Sequence, residues 1–147
     1  CIPIMSYNFG AKNEERLNLA FRYGNIIGIM ITGISIIILW LFPSQVLTIF
    51  NASPAMMSFG VPALRIMCIS YVFASIATMV ASLMQSTKRV GFSLLINVLR
   101  QLGLLLPFMW ILSKIMGMDG IWYAFIAAEV ITAAISWILY RKYPVKL

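Results

Sequence analysis

The sequence predicts an all-α membrane protein, a polytopic bundle of about four full transmembrane helices plus the end of a truncated one. Of its 147 residues, 62% are hydrophobic and 10% are charged, whereas about a quarter of the residues in soluble domains are charged. A soluble fold of this length has too little interior for so much apolar surface. Most of that surface must therefore face lipid, or other helices within lipid.

The predominantly apolar runs divide the chain into helices of about 20 residues, the length that crosses a bilayer. The predicted transmembrane helices are residues 23–42, 66–86, 92–112 and 121–140. Residues 1–9 are typical of the end of an earlier helix, and the polar stretch that follows predicts a loop. Pro43 is expected to stop the first full helix, and Pro107 lies near the expected end of the third.

The connections carry their own signals. Residues 44–64 contain two prolines, directly follow Pro43, and predict an external segment with a short interfacial helix. That helix is expected to begin with Ser53 as N-cap and Pro54 in the first position. The sequence "SKIMGMDG" predicts a tight loop in which Asp119 is a turn residue, and residues 141–147 predict a basic tail.

Lysine and arginine are distributed unequally between the two predicted sides of the membrane. Because cytoplasmic loops carry more of these residues, the first loop, the "QSTKRVG" turn and the C-terminus are predicted to be cytoplasmic. The other side receives Arg65 and Lys114. The cytoplasmic side receives Lys12, Arg16, Arg22, Lys88, Arg89, Arg141, Lys142 and Lys146. We expect a multi-pass protein of the plasma or inner membrane.

Two charged residues, Arg100 and Glu129, lie inside predicted transmembrane helices. At 1.5 Å per residue, Arg100 lies roughly 12 Å and Glu129 roughly 16 Å from the cytoplasmic edge. Such residues usually face the interior of a bundle or a watery cavity. The similar depths and the short connection between the two helices predict that the side chains form an ion pair.

Polar side chains near this depth mark three predicted helices. Asn97, Arg100 and Gln101 are spaced to share one face of the third helix. The other candidates are Thr132 on the fourth helix and Ser75, Thr78 and Ser82 on the second. The pattern favours a common polar interior, either as a solute or ion pathway or as a structural ion pair that fixes the helix register. Serine and threonine are also common at helix contacts in lipid, so each can equally be a packing residue.

The composition argues against several other functions. The chain has no histidine and only two cysteines, and its spacing of Asp and Glu shows no metal-ligand pattern, so we predict no enzyme, cofactor or metal site. The net charge of +7 comes from basic residues between apolar runs. It therefore indicates membrane topology and not nucleic-acid binding.

Several stretches resemble the MATE family of multidrug and toxic compound extrusion transporters. The most specific is "PIMSYNFGAKNEER", followed in the same order by "TIFNASPAMMSFGVPALRI", "SLMQSTKRVGFSLLINVLRQLGLLLP" and "MGMDGIWYAFIAAEVITA". The resemblance implies two lobes of six helices, of which this chain would be the last part of the second. Its partners would then be the lipid bilayer, the missing N-terminal lobe and small organic cations.

The resemblance also implies a mechanism, a secondary antiporter that exports organic compounds against an inward flow of H⁺ or Na⁺. Arg100 lies in an "LRQ" sequence that relatives share. Glu129 lies in "IAAEV", where relatives often have Asp after "PIS", which leaves its role open. No acidic residue lies in residues 66–86, so a Na⁺ site of the type that some branches have there is not supported.

Two other functions are alternatives to the antiporter, one with transport and one without. A lipid-linked oligosaccharide flippase of the same superfamily would be expected to have several basic residues in its cavity, and this chain has one intramembrane arginine. A membrane scaffold without transport would explain the helices but not the matched depths of Arg100 and Glu129.

Overall fold

The computed structural model describes residues 1–143, and these residues form a bundle of helices. The described part of the chain contains no strand, which agrees with the predicted fold class. The helices are α1 (Ile2–Gly10), α2 (Glu14–Leu41), α3 (Pro43–Ile49), α4 (Pro54–Met67), α5 (Ser70–Ser86), α6 (Val90–Val98), a π-helical segment (Leu99–Leu105), α7 (Leu106–Met116) and α8 (Met118–Lys142). The predicted tail is shorter than expected, because residues 141 and 142 end α8. Residues 144–147, with Lys146, lie outside the described part.

Three continuous helices are long and apolar enough to cross a membrane: Glu14–Leu41, Val90–Met116 and Met118–Lys142. If α4 and α5 count as one bent helix, they provide a fourth crossing. Large apolar side chains such as Ile31 and Leu102 remain about 60% exposed on these helices. With the bent pair counted as one crossing, the described residues have the four predicted crossings, whereas several boundaries differ.

Helix α2 begins at Glu14, so the prediction of a loop before residue 23 is wrong over this stretch. Asn13 caps the helix, since its side chain accepts a hydrogen bond of 2.9 Å from the backbone N–H of Arg16. The carboxylates of Glu14 and Glu15 in the first turn also interact favourably with the positive end of the helix dipole. Residues 14–22 therefore extend the transmembrane helix beyond its apolar part.

We expect Asn13→Ala to destabilise the protein by about 1 kcal/mol, the usual contribution of an N-cap side chain. Asn13→Ser, which keeps a capping oxygen, is the matched control and should change stability much less. Unfolding of the purified protein by SDS in mixed micelles measures both. Equal losses for alanine and serine would show that the side chain of Asn13 does not act as a cap.

Residues 43–86 form three helices. The predicted cap is confirmed, because Ser53 Oγ accepts a hydrogen bond of 3.3 Å from the N–H of Met56 and Pro54 opens α4. The prediction of one helix over residues 66–86 is wrong at its start, because α4 ends at Met67 and α5 begins at Ser70. The chain bends by 51° between α4 and α5. At this bend the Ser70 hydroxyl donates 2.7 Å to the carbonyl of Met67, a side-chain bond that competes with the helical pattern.

The helix from Val90 to Met116 passes through Pro107, where the sequence predicted an end. A proline inside an α-helix lacks a donor, and its ring collides with the carbonyl four residues earlier. Here the π-helical segment Leu99–Leu105 immediately precedes α7, and Pro107 lies within the first two positions of α7. The wider π turn gives room for the proline ring, so the chain continues across the membrane.

The predicted loop "SKIMGMDG" is almost entirely helical. Gly117 alone separates α7 from α8, and Asp119 lies in the first turn of α8, so its assignment as a turn residue is wrong. Gly117 has φ 65° and ψ −138°, a conformation that residues with a side chain rarely adopt. The two helices form a hairpin in which Gly120 lies directly against the backbone of Leu112.

Helix α5 lies at the centre of the bundle and packs against α2, α6 and α8. Its inner face carries Ala77, Val80 and Leu83, all nearly inaccessible to solvent. The facing part of α8 buries Ala124 and Ala128. Small residues let helices approach closely. The resulting van der Waals contacts hold the helices together within lipid, where the hydrophobic effect does not drive their association.

Candidate functional site

The structure places Arg100 of the π-helical segment opposite Glu129 of α8. The Arg100 Nε and Glu129 Oε1 atoms are 3.2 Å apart, and the two side chains are 22% and 11% exposed. The predicted ion pair is therefore confirmed. It joins two helices that the hairpin at Gly117 already holds side by side.

Arg100 also reaches the central helix. Its Nη1 atom donates a hydrogen bond of 3.2 Å to Thr78 Oγ1 on α5. Thr78 was one of the predicted polar residues, and the structure does bring it to the pair. One guanidinium group thus links α5, the π-helical segment and α8.

The predicted stripe on the third helix does not converge on the pair. Asn97 donates 2.9 Å to the carbonyl of Ser93 on its own helix. Asn97 and Gln101 are both exposed, and in residues 1–143 no hydrogen bond joins either amide to Arg100 or Glu129. The prediction assumed 3.6 residues per turn, whereas the π-helical segment that begins at Leu99 winds more loosely and shifts this register.

The polar residues of α8 lie on one buried face. Thr132 is fully buried and donates 2.7 Å to the carbonyl of Ala128. Ser136 was not among the predicted residues, yet it is also fully buried and continues the spacing of Glu129 and Thr132 at i, i+3 and i+7. Within the described chain, Ser136 Oγ has no hydrogen-bond partner. Extending the stripe by one turn would have found it.

The two serines of α5 that were predicted to share the polar interior take different positions from Thr78. Ser75 faces α2, because a Cβ atom added to Gly28 would lie 2.8 Å from Ser75 Oγ. The prediction of a common polar interior is therefore wrong for Ser75, which belongs to a close helix contact. Ser82 is partly buried, and residues 1–143 show no hydrogen bond from its side chain. The observed site is thus smaller than the predicted one.

Glu129 keeps one oxygen free for further chemistry. Its Oε2 atom is buried and has no hydrogen-bond partner among the described residues. Burying a charged oxygen without partners is costly. The arrangement therefore leaves Oε2 as a buried acceptor without a donor while Oε1 remains beside Arg100.

Comparison with known proteins agrees with this architecture. The sequence profile of the MatE family matches residues 1–111. No curated protein sequence matches the chain.

Among solved structures, the fold is similar to an outward-facing conformation of a multidrug resistance MATE family transporter of the MOP superfamily, with a TM-score of 0.89 and 22% identity. An inward-facing conformation described in the same terms gives 0.87 and 21%. A MOP superfamily transporter from Pyrococcus furiosus, described as having a binding pocket of reverse polarity that suggests a different function, gives 0.89 and 22%.

Each alignment covers 96% of this chain and 32% to 33% of the solved one. The chain thus spans about a third of the length of these transporters. The family match and the apolar helices together identify a membrane-embedded protein. The chain belongs to the MatE family, whose members are transporters and not enzymes.

Proposed function

We propose that this chain is the C-terminal part of the second lobe of an antiporter that exports organic, often cationic, compounds in exchange for H⁺ or Na⁺. The observation that best supports this function is the Arg100–Glu129 pair, in which Glu129 Oε2 is buried without a partner. Ionisable residues within transmembrane segments are rare and usually serve an ion or substrate pathway.

In this proposal Glu129 is the group that binds the coupling ion. A proton or cation at Oε2 neutralises the carboxylate and weakens its attraction for Arg100. Because Arg100 also holds Thr78 on α5, the neutralised state changes the contact between α5, the π-helical segment and α8. The ion thereby acts on the packing of the lobe.

The transport cycle would move this lobe as one body against the missing N-terminal lobe. The similar TM-scores with outward- and inward-facing structures support this view, because the fold of the segment differs little between the two forms. Rocking of two repeats around a central site is the usual basis of alternating access. The C-terminus would lie in the cytoplasm, as the distribution of Lys and Arg suggests.

The test is efflux of a fluorescent cationic dye from cells that lack other efflux pumps and express the complete transporter containing this chain. We expect efflux that stops when the proton and sodium gradients are collapsed. Glu129→Gln should reduce gradient-driven efflux about tenfold, a typical size for coupling between two ligands. Glu15→Gln removes an exposed carboxylate from the same chain and should leave efflux unchanged.

Other results would support other functions. Normal efflux by a well-expressed Glu129→Gln variant would make the residue a structural partner of Arg100. Absence of dye efflux in the unmodified transporter would favour the flippase, which is then tested by translocation of a lipid-linked oligosaccharide in vesicles. If neither activity is found, the results favour a membrane scaffold without transport.

A further inference from the structure

A groove of about 940 Å³ runs between α2, α5 and α8, apart from the Arg100–Glu129 pair. Its walls are formed by one face of each helix, with Ile26 and Ile29 from α2, Phe73 and Ile76 from α5, and Val130 from α8. These side chains are all apolar. Asn25 of α2 also lines the groove, and its amide donates a hydrogen bond of 3.0 Å to the carbonyl of Phe21 on its own helix. The groove therefore suits a long hydrocarbon chain.

The groove runs along the axis of α8. On α8 its lining extends from Val130 to Tyr140, which is about 15 Å along a helix. This length is about half the hydrocarbon thickness of a bilayer. The groove therefore matches one leaflet, with its Tyr140 end at the predicted cytoplasmic surface.

Polar and aromatic groups gather at the Tyr140 end. Asn18 and Arg22 of α2 line the groove there, and the rings of Phe21 and Tyr140 are 5.2 Å apart. Tyrosine and tryptophan are common at the level of lipid headgroups. This end of the groove therefore has the composition of a headgroup site.

A second guanidinium group is close by. Arg141 lies over the ring of Trp137, with its Cζ atom 5.7 Å from the ring centroid, and Trp137 lines the groove. Arg22 is exposed, and within residues 1–143 no ion pair neutralises it. An anion bound at this end would therefore meet two positive charges.

We propose that this groove binds an anionic phospholipid of the cytoplasmic leaflet. One acyl chain lies along α2, α5 and α8, and the phosphate is held by Arg22 and Arg141. The inference goes beyond the proposed transport activity and takes from it only the orientation of the chain. A zwitterionic lipid carries its own cation beside the phosphate and would neutralise the two guanidinium groups less completely. An apolar helix from the rest of the transporter would fill the groove but leave both groups unpaired.

Native mass spectrometry of the complete transporter, purified in detergent, tests the proposal with phosphatidylglycerol and phosphatidylcholine as probes. Phosphatidylglycerol should bind preferentially. Arg22→Gln and Arg141→Gln should each weaken its binding about fivefold, the contribution of one basic residue at an anionic surface. Ala134→Trp, which fills the groove from its exposed position on α8, should weaken binding of both lipids.

Arg16→Gln is the matched control, because Arg16 is exposed on the same side and does not line the groove. An equal loss in this variant would overturn the proposal in favour of a diffuse basic surface. Unchanged binding in Ala134→Trp, or no preference for phosphatidylglycerol, would also overturn it and point to another occupant, such as a helix or a transported compound. Because no ion gradient is used, lipid binding is judged independently of efflux.

Discussion

Arg100→Met is expected to lower the free energy of unfolding by about 3 kcal/mol, the lower end of the range for breaking a buried ion pair. The substitution leaves Glu129 without its partner in a site where that side chain is only 11% exposed. It also removes the hydrogen bond to Thr78, so three helices lose one shared contact. SDS-induced unfolding of the purified protein measures the loss.

The double variant Arg100→Met/Glu129→Met is the informative control. Replacing both members of a buried pair by apolar residues of similar size is often neutral or even stabilising. We therefore expect the double variant to recover most of the stability that Arg100→Met loses. If the double variant is less stable than either single variant, the two side chains do not act mainly through each other, and the ion pair is not what stabilises this contact.

Gly120→Ala is expected to destabilise the protein by about 3 kcal/mol, the upper end of the range for overpacking. A Cβ atom at this position would overlap the backbone carbonyl of Leu112 and lie 3.0 Å from the backbone nitrogen of Ser113. Backbone atoms cannot rotate away as a side chain does. The α7–α8 hairpin would have to separate, together with the helices that carry Arg100 and Glu129.

Gly33→Ala provides the control for helix propensity. Nothing lies within 4 Å of a Cβ atom at Gly33 in the middle of α2, so alanine should stabilise the protein by up to about 1 kcal/mol. The two substitutions make the same chemical change and should have opposite signs. A neutral result for Gly120→Ala would mean that α7 and α8 are not in backbone contact. Thermal unfolding in detergent, monitored by size-exclusion chromatography, distinguishes these outcomes.

The sequence predicted the number of crossings better than the ends of the helices. Hydropathy detects the part of a helix within the hydrocarbon, whereas α2 continues from residue 23 back to Glu14 through polar residues that the cap at Asn13 stabilises. The bend before Ser70 coincides with a side-chain hydrogen bond to a backbone carbonyl. That bond is decided by local geometry and not by apolar length.

In the candidate site, too, one feature was predictable from the sequence and another was not. The distances of Arg100 and Glu129 from the cytoplasmic edge were enough to predict that they pair. These distances follow from the sequence because the rise per residue is nearly constant, and the two helices are neighbours in the chain. The face that Asn97 and Gln101 present was not predictable in this way. It depends on the π-helical segment, and sequence spacing alone gives no sign of where an i→i+5 turn replaces an i→i+4 turn.

The single-residue connection at Gly117 bears on how the protein enters the membrane. With no loop between α7 and α8, the two helices form one hairpin, and we expect them to partition into the membrane together. A lone charge at the centre of an inserting helix costs about 2.5–3.5 kcal/mol. When the hairpin enters already folded, Arg100 and Glu129 arrive together as a neutral couple, and biogenesis avoids the two separate penalties.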